Sequence, residues 1–599
     1  MTGLGGAGLW PATGPSSSPE STRTPGIDQQ PEERVLAEDW WSHARPAFEL
    51  HGYFRTRAEL FHNFALGRAD GALWPRPNDN GNALCTPAEA GSGSSDNPAN
   101  GLANCSNKSQ AGANMRFRLD PELHISDNLR IVSQVDFLDN ATLGSTPSGY
   151  QLRPAGTGGG YAVAPRSGYS PNGFFDDTIV PPASGVNSLQ DSIHVKRVWA
   201  EYTTPVGQLR FGRMPDHFGL GMVHNSGDGY DDDYQSTVDR LQFITTIKPL
   251  DLYVGGSWDF VNEGPLSQQS LAGGQQYDLA QLDDVNQWSL VVMRKLSPEL
   301  TKLTLSRGGL VVNGGAYVTL RKQLLANDQT TANGGGTLAG SANVPDQEPN
   351  PLQTGLTRRN ATAWMPDLWL EISYKKFRFS AEGAAVLGSV ENSDNATGPG
   401  KTFDGEKLRQ YGLATQIEQK LVEDKLRLKF DFGWASGDSS AYNTDSPNNL
   451  VPQANQSPVN SDTISTFRFH PNYRIDLILF RNILQRVQGT YYFKPSVEYD
   501  FMRKPGGQRL GGGAGVIWSR ASEFVQAPGH ARDLGVELDG RVYFQSKDGS
   551  LNDVPGKMGG FYAMLEYGVL FPLAGLGFPQ SSGDTSAAQI LRMYLGALF

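Results

Sequence analysis

The chain has 599 residues, a formal net charge of −11 and two cysteines, with a mean hydropathy of −0.41. No run of 18 or more apolar residues occurs, which excludes a helical membrane span. The acidic balance argues against nucleic acid as a partner, since such binders carry a basic footprint, and two cysteines alone are too few for a structural zinc.

Residues 1–45 are rich in Pro, Ser and acidic side chains and read as a disordered lead-in, with Trp40 and Trp41 as its first anchor. The opening MTGLGGAGLWPATGPSSS lacks a basic segment followed by an apolar core. For an exported protein this implies numbering that starts within the precursor or a misassigned start codon; the other reading is a different compartment.

From residue 46 onward apolar and polar side chains alternate, the period-two signature of strands with one face in an apolar medium. Phe48, Leu50, Gly52, Phe54, Ala58 and Leu60 share one parity, and Glu49, His51, Tyr53, Arg55, Arg57 and Glu59 the other. A loop from about 69 to 113 carries Cys85 and Cys105, whose spacing admits a loop disulfide in an oxidising compartment or two free thiols. Met115, Phe117, Leu119, Leu123 and Ile125 then oppose Arg116, Arg118, Asp120, Glu122 and His124. Pro121 inside that run suits an edge or a bulge. A tight turn at Ser126-Asp127-Asn128 leads into 129–138, and a Gly/Pro/Ser-rich loop fills about 140–192.

The next hairpin pairs 193–204 with 208–213, and a slip of parity near Arg197 predicts a bulge. Then come 240–248 with 251–260, 286–296 with 308–321, 367–375 with 377–388, and 407–421 with 425–435. The last of these, KLRLKFDFGW, sets Leu426, Leu428, Phe430, Phe432 and Trp434 against Arg427, Lys429 and Asp431. After a long loop come 490–502 with 510–519, 533–545 with 559–571, and 588–599. Phe467–Leu484 is assigned to a loop.

These are about 18 strands (16 is the alternative), near the length of about 9–11 residues that crosses an outer-membrane core. Short turns and long loops alternate, so all turns fall on one side. An even count returns the chain to its starting side, as a closed barrel requires. The expected fold is therefore all-β: a transmembrane antiparallel β-barrel over 46–599, with long extracellular loops and short periplasmic turns, in a bacterial outer membrane. Tryptophans and tyrosines near strand ends are expected to form aromatic girdles.

The ending LRMYLGALF, with terminal Phe599, resembles the carboxy-terminal signature of bacterial outer-membrane barrels, which implies recognition by the barrel assembly machinery. The run QLRFGRMPDHFGLGMVHNSGDGYDDDYQSTVDRLQF (208–243) resembles a segment of an uncharacterised myxobacterial-type family of predicted outer-membrane proteins. That family is similar in arrangement to the 18-stranded alginate-export barrels.

The inward parity is unevenly charged. Arg55, Arg57, Arg116, Arg118, Arg130, Lys196 and Arg210 come from the early strands. Glu371, Glu382, Glu418, Asp431, Glu498, Asp500, Glu537 and Asp539 come from the later ones, diluted by Arg378, Arg427, Lys429 and Arg541. One reading is a pore with a basic wall facing an acidic wall, since rings of charge set ion preference; the other is lumen residues paired with their neighbours. In GDGYDDDYQSTVD, the residues Asp228, Asp231, Asp232, Asp233 and Asp239 form a set of hard oxygen ligands suited to calcium, although Asp233 stands where an EF-hand needs Gly. A solvated acidic loop is the alternative. His224-Asn225-Ser226 faintly resembles the His-x-Ser motif of outer-membrane phospholipases. No phosphate-binding, dinucleotide or paired zinc motif occurs.

The expected function is a porin-like channel for passive passage of small hydrophilic solutes, anionic ones or polysaccharide among them. No enzymatic role and no cofactor besides the calcium candidate are expected, and membrane lipid is the surrounding partner. The alternatives are a surface or adhesive barrel plugged by its loops, and more remotely a lipid hydrolase. A folded-in loop, 140–192 or 437–488, is the expected constriction.

Overall fold

The computed structural model describes residues 47–67, 74, 108–143, 150–155, 160–165, 193–264, 277–278, 281–327, 356–391, 405–439, 463–504, 506–546, 560–577 and 585–599. The expected lead-in (1–45), Trp40, Trp41, Cys85 and Cys105 lie outside these residues.

Eighteen antiparallel strands form one closed wall. In chain order they are β1 (Ala47–His62), β2 (Ser109–Ser126), β3 (Leu129–Thr142), β4 (Ile193–Thr204), β5 (Gly207–Pro215), β6 (Thr237–Ile247), β7 (Leu252–Asn262), β8 (Val285–Arg294) and β9 (Leu310–Asn327). They continue as β10 (Leu356–Tyr374), β11 (Phe377–Val390), β12 (Glu406–Leu421), β13 (Leu426–Ala435), β14 (Thr490–Arg503), β15 (Arg509–Ala521), β16 (Asp533–Gln545), β17 (Gly560–Pro572) and β18 (Ala588–Leu598). A small separate hairpin joins Tyr150–Ala155 to Gly160–Pro165.

Closure is achieved by β18 pairing back onto β1, from Tyr53–Leu598 to His62–Gln589. Gly52 and Phe599 extend the seam with two backbone hydrogen bonds of 3.0 and 3.1 Å. No edge of the described wall is left open, as lipid demands, because unpaired backbone groups find no water there. The outer face is correspondingly apolar. On β13, Leu428 and Phe430 point outward and are exposed, while Arg427, Lys429 and Asp431 point inward. Trp258 and Trp288 sit directly opposite one another on β7 and β8, both exposed, as are Trp364 and Trp518. An even, closed barrel with an apolar outside and a charged inside is the architecture of the bacterial outer membrane.

The alternation of turns and loops holds, with two departures. The connections β2–β3, β4–β5, β6–β7, β10–β11, β12–β13 and β14–β15 are tight. On the same side, residues 295–309 contain a helix, α1 (Pro298–Ser306), capped by Ser297 Oγ accepting the Leu300 N–H, and residues 546–559 are also longer. Several strands outrun the expected spans. β10 begins at Leu356 rather than near 367, because its ladder with β9 continues to the Asn327–Leu356 pair.

The predicted bulge is present: the β3–β4 register shifts between Gln134–Arg197 and Val135–Val195, leaving Lys196 as the extra residue. Pro121 lies in neither an edge nor a bulge. A closed wall has no edge, and the register runs through Pro121 unchanged while the β2–β3 ladder skips Asp120 and Pro121; the missing N–H of proline is absorbed as a gap.

Two connections turn into the lumen. Residues 216–236, between β5 and β6, form a first insert, and the described part of 436–489, between β13 and β14, a second. Phe467, Phe469, Ile475, Leu477, Ile478, Leu479, Phe480, Ile483 and Leu484 of the second insert pack with Phe218, Leu220 and Met222 of the first, against Tyr492, Ile517, Leu570 and Ile590 of the wall. This is an apolar core inside the barrel. Irregular backbone is tolerated at this depth because it is covered by protein, not lipid.

Candidate functional site

The lumen is shaped by how each insert is held. Glu382 on β11 accepts the backbone N–H groups of Leu220 and Met222, the latter at 3.0 Å. Asp216, at the root of the same insert, is met by Arg240 at 3.1 Å, the Tyr317 hydroxyl at 3.1 Å and His224 Nδ1 at 2.6 Å. The second insert is held in the same manner. Glu537 on β16 accepts three consecutive N–H groups, of Leu477, Ile478 and Leu479, at 2.9, 2.7 and 3.0 Å. Within the insert Asp476 accepts the N–H groups of Phe480 and Arg481 at 2.8 and 2.9 Å. Each inward-facing carboxylate satisfies donors that would otherwise be orphaned in a buried setting.

The inserts meet over the early strands. Asp233 accepts from Arg57 and Arg474, each at 2.8 Å, and Asp231 from Arg481 at 2.7 Å, Arg57 at 3.2 Å and Arg592 at 3.3 Å. Arg55 lies 3.5 Å from Asp233 and donates to Tyr230 O at 2.7 Å. Burial by itself would raise the Asp231 carboxyl, but Arg481, Arg592, Arg474 and Arg57 outweigh it and hold it well below the ordinary carboxylate range. Asp233 is held down in the same way by Arg57, Arg474 and Arg55. The backbone follows the charges: Arg118 reaches Gly227 O at 3.0 Å while forming a bidentate pair with Asp136 at 2.6 and 2.8 Å.

What the inserts leave open includes a cavity between the second insert and β13–β17. Its charged lining mixes Lys429, Lys494, Arg474 and Arg541 with Glu498 and Asp539, and its floor is smoothed by Ser496, Gly513 and Gly515. Glu498 is itself shared by Arg427 at 2.9 Å, Lys429 at 2.8 Å and Arg541. Asp500 takes Arg427 and the Tyr543 hydroxyl. The space between insert and wall is therefore lined by both signs of charge.

The seven basic and eight acidic residues expected to line the pore face the lumen side of the wall, but not as two opposed walls. Arg116 and Lys196 share Asp139 at 2.6 and 2.5 Å. Arg130 and Arg210 share Glu201 at 2.7 and 3.2 Å. The basic side meets the acidic first insert rather than an acidic wall across the lumen, and the later side carries Arg427, Lys429, Lys494 and Arg541 among its carboxylates. Asp431 and Asp539 border the cavity.

The calcium candidates are divided. Arginines engage Asp231 and Asp233 as above, and Asp228 pairs with Arg197 at 2.8 Å. Asp239 is on the outer parity of β6, paired with Arg213 at 2.7 Å. Asp232 caps Gly229 N at 2.8 Å. The five aspartates do not converge on one point. His224 and Ser226 are buried in the lumen, His224 on Asp216 and Ser226 hidden from the lipid face. Phe599 closes the seam against Gly52.

Arg592, Arg474 and Arg481 escaped the sequence reading. Arg592 had a signal: it lies on the inward parity of the strand whose outward row ends at Phe599. Arg474 and Arg481 belong to irregular backbone, where parity says nothing.

No family model matches the chain and no curated protein matches it, so the resemblance of 208–243 to a myxobacterial-type family finds no support there. Among solved structures the chain is similar to Pseudomonas aeruginosa OpdK with vanillate, at 10% identity over 92% of this chain and 98% of that one, with a TM-score of 0.39. It is similar also to Pseudomonas aeruginosa OccK9 (OpdG), at 11% identity over 92% and 98%, with a TM-score of 0.42. Vibrio cholerae OmpT, an outer-membrane protein, gives 8% identity over 92% and 98%, with a TM-score of 0.31. Similarity of this degree adds nothing to the argument made by the barrel's own closure.

Proposed function

We propose that the protein is a loop-constricted outer-membrane channel for passive passage of small hydrophilic solutes. The observation that carries this is the charge-lined space left between the second insert and the β13–β17 wall, in a barrel wide enough for an aqueous lumen unless it is filled. Small anions are the favoured cargo. At the junction of the inserts Arg55, Arg57, Arg474, Arg481 and Arg592 surround Asp231 and Asp233, and Glu59 and Glu566 on Arg592 offset part of the excess. The resulting preference is modest. An extended polysaccharide is less supported, because two anchored inserts cross the lumen.

A second reading has its own observation. The core of Phe467, Phe480 and Leu484 against Met222 and Phe218 is well packed, as a plug would be, and favours a barrel whose role lies at the surface. A lipid hydrolase is disfavoured by the burial of Ser226, and a non-enzymatic role fits the lumen. The assembly machinery is the expected reader of the strand ending at Phe599, and a calcium ion in 227–239 would have to displace the arginines now on Asp231 and Asp233.

Single-channel recording of the refolded protein in a planar bilayer, with the reversal potential in a salt gradient, tests the proposal. A steady open conductance with mild anion preference is expected. Insertion without current would overturn it in favour of the plugged barrel.

A further inference from the structure

At the rim formed by the short β2–β3 turn, the side that is periplasmic in such barrels, β1 and β2 bring chemistry-bearing side chains together on the inward face. The register sets Glu49 directly opposite Glu122, His51 opposite Asp120 and Ala47 opposite His124. Directly opposed like charges on one face of a sheet are destabilising. Arg130 meets only one of these carboxylates, Glu122 at 3.2 Å, and is shared with Glu201.

We propose that this rim holds a divalent first-row transition metal, with His124, Glu49 and Glu122 as ligands and His51 beside them. One ligand atom from each of the three residues lies within 4.8 Å of the others. His124 Nε2 stands 3.8 Å from Glu49 Oε1 and 3.6 Å from Glu122 Oε2. Those separations are too long for hydrogen bonds, and this nitrogen is shielded from solvent with no hydrogen-bond partner. Metal–ligand bonds of about 2.1 Å in a tetrahedron place ligand atoms about 3.4 Å apart, so each carboxylate needs to approach His124 by only a few tenths of an ångström. His51 Nε2 lies 3.8 Å from Glu49 Oε2, near enough to orient that carboxylate or to bind in its turn.

The donor set selects the class. An imidazole nitrogen with carboxylate oxygens suits zinc or its first-row neighbours, whereas calcium and magnesium take oxygen alone. Glu49 is exposed and Glu122 and His124 are half-buried, so an ion can enter from the mouth. Bound there, it would neutralise the opposed carboxylates and clamp β1 to β2 beside the closing seam.

The test is calorimetric titration of the refolded full-length protein, without an affinity tag, with zinc alone near neutral pH. Cobalt substitution would report the coordination through its visible absorption. One saturable equivalent is expected. His124→Gln and Glu122→Gln should each weaken it by at least about 100-fold, since even outer partners of a metal ligand are worth about 10–100-fold. His62→Gln, an exposed histidine at the far end of β1, should bind as the parent does. Heat-modifiable gel migration confirms that each variant is folded, and Glu49→Gln, at the exposed rim, serves if His124→Gln fails to refold. Absence of saturable binding by the parent, or retention of parental affinity in folded His124→Gln or Glu49→Gln, would overturn the proposal.

Discussion

Arg481 donates to Asp231 Oδ2 at 2.7 Å across 250 residues of chain, joining the tip of one insert to the tip of the other. Asp231 also receives Arg57 from β1 and Arg592 from β18, so a single carboxylate binds both inserts to the closing seam. A buried ion pair of this kind adds little net stability, but removing one partner is costly because it strands the other charges.

Asp231→Asn is therefore expected to loosen the inserts while leaving the wall intact. Breaking a buried pair costs about 3–5 kcal/mol, and here it falls on loop backbone, not on the ladders of β1 and β18. Single-channel records should show a larger or noisier conductance, with heat-modifiable migration unchanged. A parental trace from folded Asp231→Asn would mean that the charges do not hold the constriction.

Glu537→Ala separates the two anchors. It orphans the N–H groups of Leu477, Ile478 and Leu479, at about 1–3 kcal/mol for each buried donor left unpaired. Hydrogen exchange should quicken across 477–484, while the amides of β16, still paired with β15 and β17, keep their protection. Glu537→Gln retains one acceptor and should fall between. Unchanged exchange in the alanine variant would assign the insert's position to the apolar core alone.

The barrel was legible because its physics is periodic. Leu428 and Phe430 against Arg427 and Lys429 declare both faces of β13, and the same rule would have yielded Arg592 from the outward row of Leu591, Met593 and Leu595. The lumen was legible only in part. The cluster Asp231-Asp232-Asp233 signals that cations are near, and calcium and guanidinium satisfy that signal equally. Only the fold brings Arg57, Arg474 and Arg592, distant in sequence, to the same carboxylates. The apolar run Ile475–Phe480 within a polar loop does hint at burial. Its resting place on Glu537 depends on backbone N–H groups, which every residue type except proline offers and no sequence pattern marks.

Acid should release the inserts in two stages. Burial, together with His224, His217, Arg486 and Arg474 nearby, pushes His470 down to about 3. Burial also dominates at His217, pushed down to about 4 with Lys295 and His224 assisting and Asp228 and Asp216 opposing. Both rings accept backbone N–H groups through Nδ1, from Asn472 at 3.1 Å and Ser226 at 3.3 Å, so protonation breaks those bonds. A released insert exposes imidazoles that protonate near about 6.5. The released state thus binds protons first, and the inserted state loses stability as pH falls from about 6.5 toward those lower values. Asp231 and Asp233 act in the same direction later: their contribution is complete above about 3.9 and is lost as pH falls through their depressed values. Conductance should be steady above about pH 7 and rise or grow noisy below about 6.5. The double variant His217→Gln, His470→Gln should remove the upper stage and leave the lower. An identical profile in that variant would show the histidines to be spectators.

Glycines in the wall can locate the conducting path. A Cβ at Gly515 would meet Ser496 Cβ at 3.2 Å and nothing else nearer than 3.6 Å. A leucine there fits the strand after a small shift and extends into the cavity beside the second insert. At Gly412 on β12 a Cβ would run into the Phe467 ring of that insert. Gly515→Leu is expected to lower the conductance severalfold without changing heat-modifiable migration, because it narrows the space between insert and wall. Gly412→Ala should act oppositely, pushing Phe467 and the insert from its seat and raising the current. If Gly515→Leu conducts as the parent does while Gly412→Ala alters the current, the solute passes on the β12 side of the insert rather than through the cavity against β13–β17.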